Sequence, residues 1–141
     1  MTSHFVYLLH RLFGEVQLLS VHGVRRHAEL AEESLTAQLS AAGTPVSLVA
    51  TTGGQPQEIV RADFLGQNQT LSLNNWYSLV QFDEAYPDGL SLAHDADPRK
   101  ATYQAQLSRV AAMLAGEPHR LPSFQTAFKV QQIIEGMLDS V

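Results

Sequence analysis

The apolar residues of this chain change their period twice, and that change limits what it can fold into more than any single motif does. Phe5, Leu8, Leu9, Leu12 and Phe13 fall at i, i+3, i+4, i+7 and i+8, one stripe of an α-helix that starts almost at residue 1. Gly14 supplies the stop, because glycine enters the left-handed conformation at little cost. From Ser34 the period becomes two. Leu35, Ala37 and Leu39 predict one strand and Val46, Leu48 and Ala50 the next, across a turn at Ala42-Gly43-Thr44-Pro45. The second run ends at Thr51-Thr52-Gly53-Gly54. Further strands are expected at about Glu58 to Phe64, Thr70 to Asn74 and Trp76 to Phe82, with breaks at Leu65-Gly66-Gln67-Asn68 and Asn74-Asn75.

The helical period then returns. Asp97-Pro98 reads as an N-cap followed by the first helical position, with Tyr103, Leu107, Val110, Ala111 and Leu114 as a buried stripe and Gly116 as the end. Pro122-Ser123 opens a last helix that carries Phe124, Ala127, Phe128, Ile134, Met137, Leu138 and Val141 on one side. Val16, Leu18, Ser20 and His22 alternate with Gln17, Leu19, Val21 and Gly23, and apolar residues on both sides of that alternation point to a strand covered on both faces. Arg25 to Glu33 reads as a loop or short helical excursion, and Asp83 to Asp97, with Pro87, Gly89 and several carboxylates, as a surface loop. The expected fold is α+β: three helices on one face of a mostly antiparallel sheet, the other face available for oligomerisation, in a single domain over 1–141. Val49, Leu79 and Val80 make that other face partly apolar, which implies a partner.

A chain of 141 residues with 45% hydrophobic and 16% charged residues is ordinary globular material that one core can stabilise. Its formal charge of -5, with basic residues scattered apart from Arg25-Arg26, argues against nucleic acid. No apolar run approaches a membrane span, and zero cysteines exclude disulfides and thiolate chemistry. With no basic-then-apolar leader either, a cytoplasmic location is expected.

Few residues stand out as carriers of chemistry. No Gly-x-Gly-x-x-Gly turn follows a strand, and Gly53-Gly54 reads as a connection between β segments, so no dinucleotide site is expected in this chain. The six histidines, His4, His10, His22, His27, His94 and His119, form no metal-ligand spacing, and His94-Asp95-Ala96-Asp97 reads as a solvated loop. Acidic residues such as Glu58 and Asp63 read as sheet-surface charge. There is no nucleophile elbow. His4, in the first turn of an amphipathic helix and just outside its apolar stripe, is placed to titrate near neutrality, although a lone histidine seldom marks an acid or base.

His4-Phe5-Val6-Tyr7-Leu8-Leu9-His10-Arg11-Leu12-Phe13-Gly14 resembles the helix that opens the second domain of the glucose-fructose oxidoreductase, inositol dehydrogenase and MocA family. Glu58 through Gly66 to Leu71 resembles a later segment of that domain. Tyr103 to Gly116, Pro122-Ser123-Phe124 and Val130 to Ser140 resemble its closing pair of helices. The resemblance implies a C-terminal, substrate-side domain of an enzyme using NAD or NADP on sugars, polyols or related hydroxy compounds. It also implies homodimerisation through the sheet face and a preceding Rossmann domain as partner. The histidine aligned with His4 acts in the family as general acid/base, and Tyr7 takes the place of an acidic residue beside the substrate.

Two features depart from the family pattern: Tyr7 itself, and an aspartate four positions before the histidine, which would fall ahead of Met1. The Rossmann domain and the lysine of the Glu-Lys-Pro motif have no counterpart, so the isolated chain is expected to be inactive. Two alternatives stand beside this reading: an interaction module that kept the fold without the chemistry, and an unrelated small α+β enzyme with its own pocket.

Overall fold

The computed structural model of the chain describes residues 2–26, 32–52, 57–92 and 97–139. Their order is α1 (Thr2–Phe13), β1 (Val16–Arg26), β2 (Glu32–Ala41), β3 (Thr44–Thr51), β4 (Arg61–Leu65), β5 (Thr70–Asn74), β6 (Ser78–Phe82), β7 (Leu90–Ser91), α2 (Pro98–Leu114) and α3 (Phe124–Asp139). The fold is α+β, and strands pair antiparallel with their sequence neighbours. They make two sheets rather than one, β1-β2-β3 and β4-β5-β6-β7. Pro45 lies in β3 at the edge of the first sheet, a position that tolerates a residue with no N–H to donate. The expected Gly53-Gly54 connection lies outside the described residues. The chain divides into two compact units, Met1–Pro56 with Pro122–Val141, and Gln57–Leu121.

In the first unit β2 organises the core. Leu35, Ala37, Leu39 and Ala41 alternate along it and are all buried. Leu39 stands between Leu18 of β1 and Val46 of β3, and Ala37 between Val21 and Leu48, so the three strands present one apolar face. Val6 and Leu9 of α1 and Val130 and Met137 of α3 close over it. At Gly136 the last helix comes so near β1 that an added Cβ would lie 3.3 Å from Leu18 Cδ2. The other face of β2 carries Ser34, Thr36, Gln38 and Ser40, partly exposed, and Ser47 Oγ donates to Gln38 Oε1 at 3.0 Å.

Four expectations change here. β1 is not covered on both faces: its pairing shifts between Leu18 and Ser20, and this bulge puts Val16 and Leu18 before it and Val21 after it on one side. One extra residue therefore explains apolar side chains at both parities. Arg25 pairs with Ser34 and Arg26 with Glu32, so strand pairing continues at both ends of the segment expected to be a loop. The buried face of α1 centres on Val6 and Leu9, while Leu12 and Phe13 in its last turn are exposed, because periodicity gives the width of a face but not its centre. Likewise α3 buries Val130 and Met137, with Ile133 and Ile134 packed beside them, and leaves Phe124 97% exposed.

In the second unit β4 to β7 form a meander with Ala62, Phe64, Leu71, Leu73 and Leu79 on one face and Arg61, Asp63, Ser72, Asn74, Val80 and Phe82 on the other. The hairpin between β5 and β6 turns through Asn75 and Trp76, at φ +49° and +68°, with the Tyr77 N–H donating to the Asn74 carbonyl at 3.2 Å. That left-handed pair is why the strand expected from Trp76 begins at Ser78. The Asp83 carboxylate accepts from the N–H groups of Ala85 and Tyr86, each at 2.9 Å, and turns the following chain back toward β6. Leu90–Ser91 then pairs with β6 inside the stretch expected to be loop. The expected buried stripe of α2 is exposed: Tyr103 by 60%, Leu107 by 68% and Leu114 by 79%. A helical period shows that a face is apolar, not that this chain covers it.

Gly89, at φ +93°, sits where a Cβ would lie 2.7 Å from Val80 Cγ1 and 2.8 Å from Phe82 Cε1. Gly89→Ala is expected to destabilise the protein by roughly 1–3 kcal/mol through backbone strain and overpacking together. Gly14, at φ +101° with nothing within 4 Å of its added Cβ, isolates the strain component. Urea unfolding of both variants should therefore show the larger midpoint loss at Gly89.

Candidate functional site

His4 sits in the first turn of α1 and is exposed. Val6 and Leu9 fix the rotation of the helix by burying in the core, and this carries His4 and Arg11, two turns apart, onto the opposite, exposed face. Tyr7 lies one turn after His4 but is half-buried and packs against the core cluster, so its ring is partly committed to the fold. The two residues singled out from the sequence thus lie one turn apart on one helix, with different surroundings. His10 gives its carbonyl to the Gly14 N–H at 3.1 Å, His22 is exposed on β1, and His119 accepts from the Leu121 N–H through Nδ1 at 3.3 Å. His27 and the His94-Asp95-Ala96 stretch lie outside the described residues. Among the described residues no group of three His, Asp or Glu is placed to hold a metal ion, and no helix is long and apolar enough to cross a membrane.

The second unit holds a polar cluster that no local sequence motif marks. Asp63 accepts from Arg61 Nε at 2.8 Å and from the hydroxyl of Ser72, which is buried. Burial pushes the Asp63 carboxyl up, but the hydrogen bonds from Ser72 and Arg61, with the Arg61 charge, outweigh it and hold the group below the usual carboxylate value. Its Oδ1 is occupied and Ser72 is enclosed, so the cluster ties β4 to β5 and offers no free nucleophile or base. The register of the β4–β5 hairpin sets Asp63 opposite Ser72. Glu58 is exposed and precedes β4.

Two further carboxylates are held low by local donors. Asp83 accepts from Gln81 Nε2 at 2.6 Å and then from the amides of Tyr86 and Ala85, and Asp97 accepts from the side chain and N–H of Arg99. Asp97 therefore caps α2 as its position in the sequence indicated. The same contact places a carboxylate on the start of that helix, while Ser123 Oγ accepts from the Thr126 N–H at 3.1 Å at the start of α3. Among the described residues no strand pairs parallel with another, so there is no β-α-β crossover to present helix amides to a pyrophosphate.

No protein-family model matches the chain, and no curated protein matches its sequence. A solved structure does. UDP-N-acetylglucosamine 3-dehydrogenase GnnA from Acidithiobacillus ferrooxidans matches 99% of this chain with a TM-score of 0.67 at 17% identity. The fold is shared with part of a dehydrogenase. This chain spans 45% of the length of GnnA, a member of the glucose-fructose oxidoreductase, inositol dehydrogenase and MocA family. The resemblance to that family's C-terminal domain is thereby borne out as a likeness of fold.

A carboxyl whose folded pKa is depressed stabilises the fold above its ordinary value of about 3.9 and loses that contribution as pH falls through the folded value. Asp63 contributes in this direction, as its lowered value requires. Asp63→Asn is expected to flatten part of the fall in stability below about pH 4, and thermal melts from neutral to acid pH measure it. A mutant whose acid slope matches the wild type would contradict this assignment.

Proposed function

We propose that the chain is the substrate-side domain of an NAD(P)-dependent oxidoreductase acting on a sugar, polyol or related hydroxy compound, with both compact units belonging to that one domain. The observation that carries this reading is the match of nearly the whole chain to part of a UDP-N-acetylglucosamine dehydrogenase. His4 is the general acid/base. Oxidising a carbinol to a carbonyl requires the hydroxyl proton to leave, and an exposed imidazole is a side chain that can take it. Tyr7, one turn further along α1, borders the same substrate with the exposed part of its ring.

The nicotinamide dinucleotide is the hydride acceptor or donor and belongs to a separate Rossmann domain; the starts of α2 and α3 are taken by Asp97 and Ser123. In this reading the protein is cytoplasmic, and the Ser34, Thr36, Gln38 and Val49 face of β2 and β3 forms a homodimer interface.

The test supplies the chain with a Rossmann domain, in trans or as a fusion, and follows nicotinamide reduction with a panel of nucleotide sugars and polyols. Activity is expected only in the combination, and His4→Ala is expected to lower kcat by about 100-fold or more while substrate binding persists. Unchanged turnover in that variant would remove His4 from the chemistry. The core-packed Tyr7, in place of an acid, favours a second reading as a non-catalytic binding module. That reading requires sugar binding by the chain alone and no oxidation in any combination.

A further inference from the structure

We infer that Arg11 receives an anionic group of the substrate, so that this chain takes sugars carrying a phosphate or carboxylate in preference to neutral ones, an assignment that rests on His4 being the acid/base. Arg11 follows His4 by seven residues, which turn an α-helix about 20° short of two full turns. The two therefore lie on nearly one line along α1, with their Cα atoms roughly 10 Å apart. Both are exposed on the side away from Val6 and Leu9, whose burial keeps that line turned outward.

Helical side chains lean toward the helix start, so a long one at Arg11 reaches back over the turn that holds Tyr7 and Leu8, toward His4. Tyr7 and Leu8 are half-buried and give this interval a partly apolar floor, against which the C–H face of a sugar ring can lie. A substrate with its carbinol at the imidazole and an anionic substituent across the ring spans the interval, whereas a neutral sugar leaves the guanidinium nothing to bind. Arg11 is the only Lys or Arg of α1, in a chain whose formal charge of -5 otherwise disfavours anions. The helix contains no Asp or Glu, and no ion pair of Arg11 is seen among the described residues. A guanidinium is always charged and matches phosphate and carboxylate oxygens two at a time. Its place in the last turn of α1 also suits the helix dipole, but a lysine would serve the dipole equally and cannot make the paired contact.

Calorimetric titration of the full chain, combined with the Rossmann domain, tests this with glucose 1-phosphate, glucose 6-phosphate, glucuronate and uncharged glucose. The charged sugars are expected to bind about 10-fold or more tighter than glucose, and Arg11→Gln to remove that advantage. Arg11→Lys is expected to restore only part of it. In turnover of a charged sugar the loss should fall on KM rather than kcat, the reverse of His4→Ala. Because Arg11 is exposed, Arg11→Gln should keep the fold, and thermal melts check this. A preference for the phosphates over glucuronate, or the opposite, identifies the group, and either supports the assignment. Equal binding of charged and neutral sugars, a preference that Arg11→Gln leaves in place, or no binding of any of the four overturns it. Oxidation of neutral sugars that depends on His4 and not on Arg11 removes Arg11 alone. Charge-selective binding that Arg11→Gln abolishes, without oxidation in any combination, keeps Arg11 and removes the oxidoreductase reading.

Discussion

The first unit depends on one row of side chains, Leu35, Ala37, Leu39 and Ala41 along β2. The row alternates large and small, and the small positions let two helices settle onto a sheet only three strands wide. Leu39 is flanked by apolar partners on both neighbouring strands, Leu18 and Val46, and Leu35 lies opposite Ala50 of β3. The bulge in β1 serves the same end, because it returns Val21 to the inner face after Leu18. Fully buried neighbours such as Val6 and Met137 fix how each helix is turned about its axis. What the helices show to the outside follows from that.

The second unit is held differently. Its described residues include few buried apolar side chains, with Val60 the chief example, and its hairpins are secured by polar contacts at their ends. Asp63 with Arg61 and Ser72, Asp83 with Gln81 and two amides, and Asp97 with Arg99 each fix one local bend. All three are carboxylates held in their ionised form, so acid should loosen this unit through several sites at once. Helix α2, with little of its surface covered, belongs to the same unit.

Strand positions were legible because alternation is a strict signal: Leu35 to Ala50 was readable as two paired strands from the sequence, turn included. The division into two sheets was not, since pairing between distant strands leaves no mark on local periodicity. Helix positions were legible, but their burial was not. Tyr103 and Leu107 follow the same rule as Val130 and Met137, and only the latter pair finds cover. At the candidate site, pattern alone could place His4 on a helix but could not show that Val6 and Leu9 aim it outward. Tyr7 was readable as a departure from the family pattern, and its share in the core needed coordinates. The Asp63 cluster escaped because its members, 9 residues apart in the case of Ser72, meet only through hairpin register.

The orientation of α1 carries a mechanical consequence. Val6 is wholly enclosed and Leu9 nearly so, which makes any roll of this helix a disruption of the unit's interior. The imidazole of His4 is therefore carried on a mount that the core holds in place. Any molecule that meets it must make the approach itself, and any closing motion around the pair falls to the body that brings it.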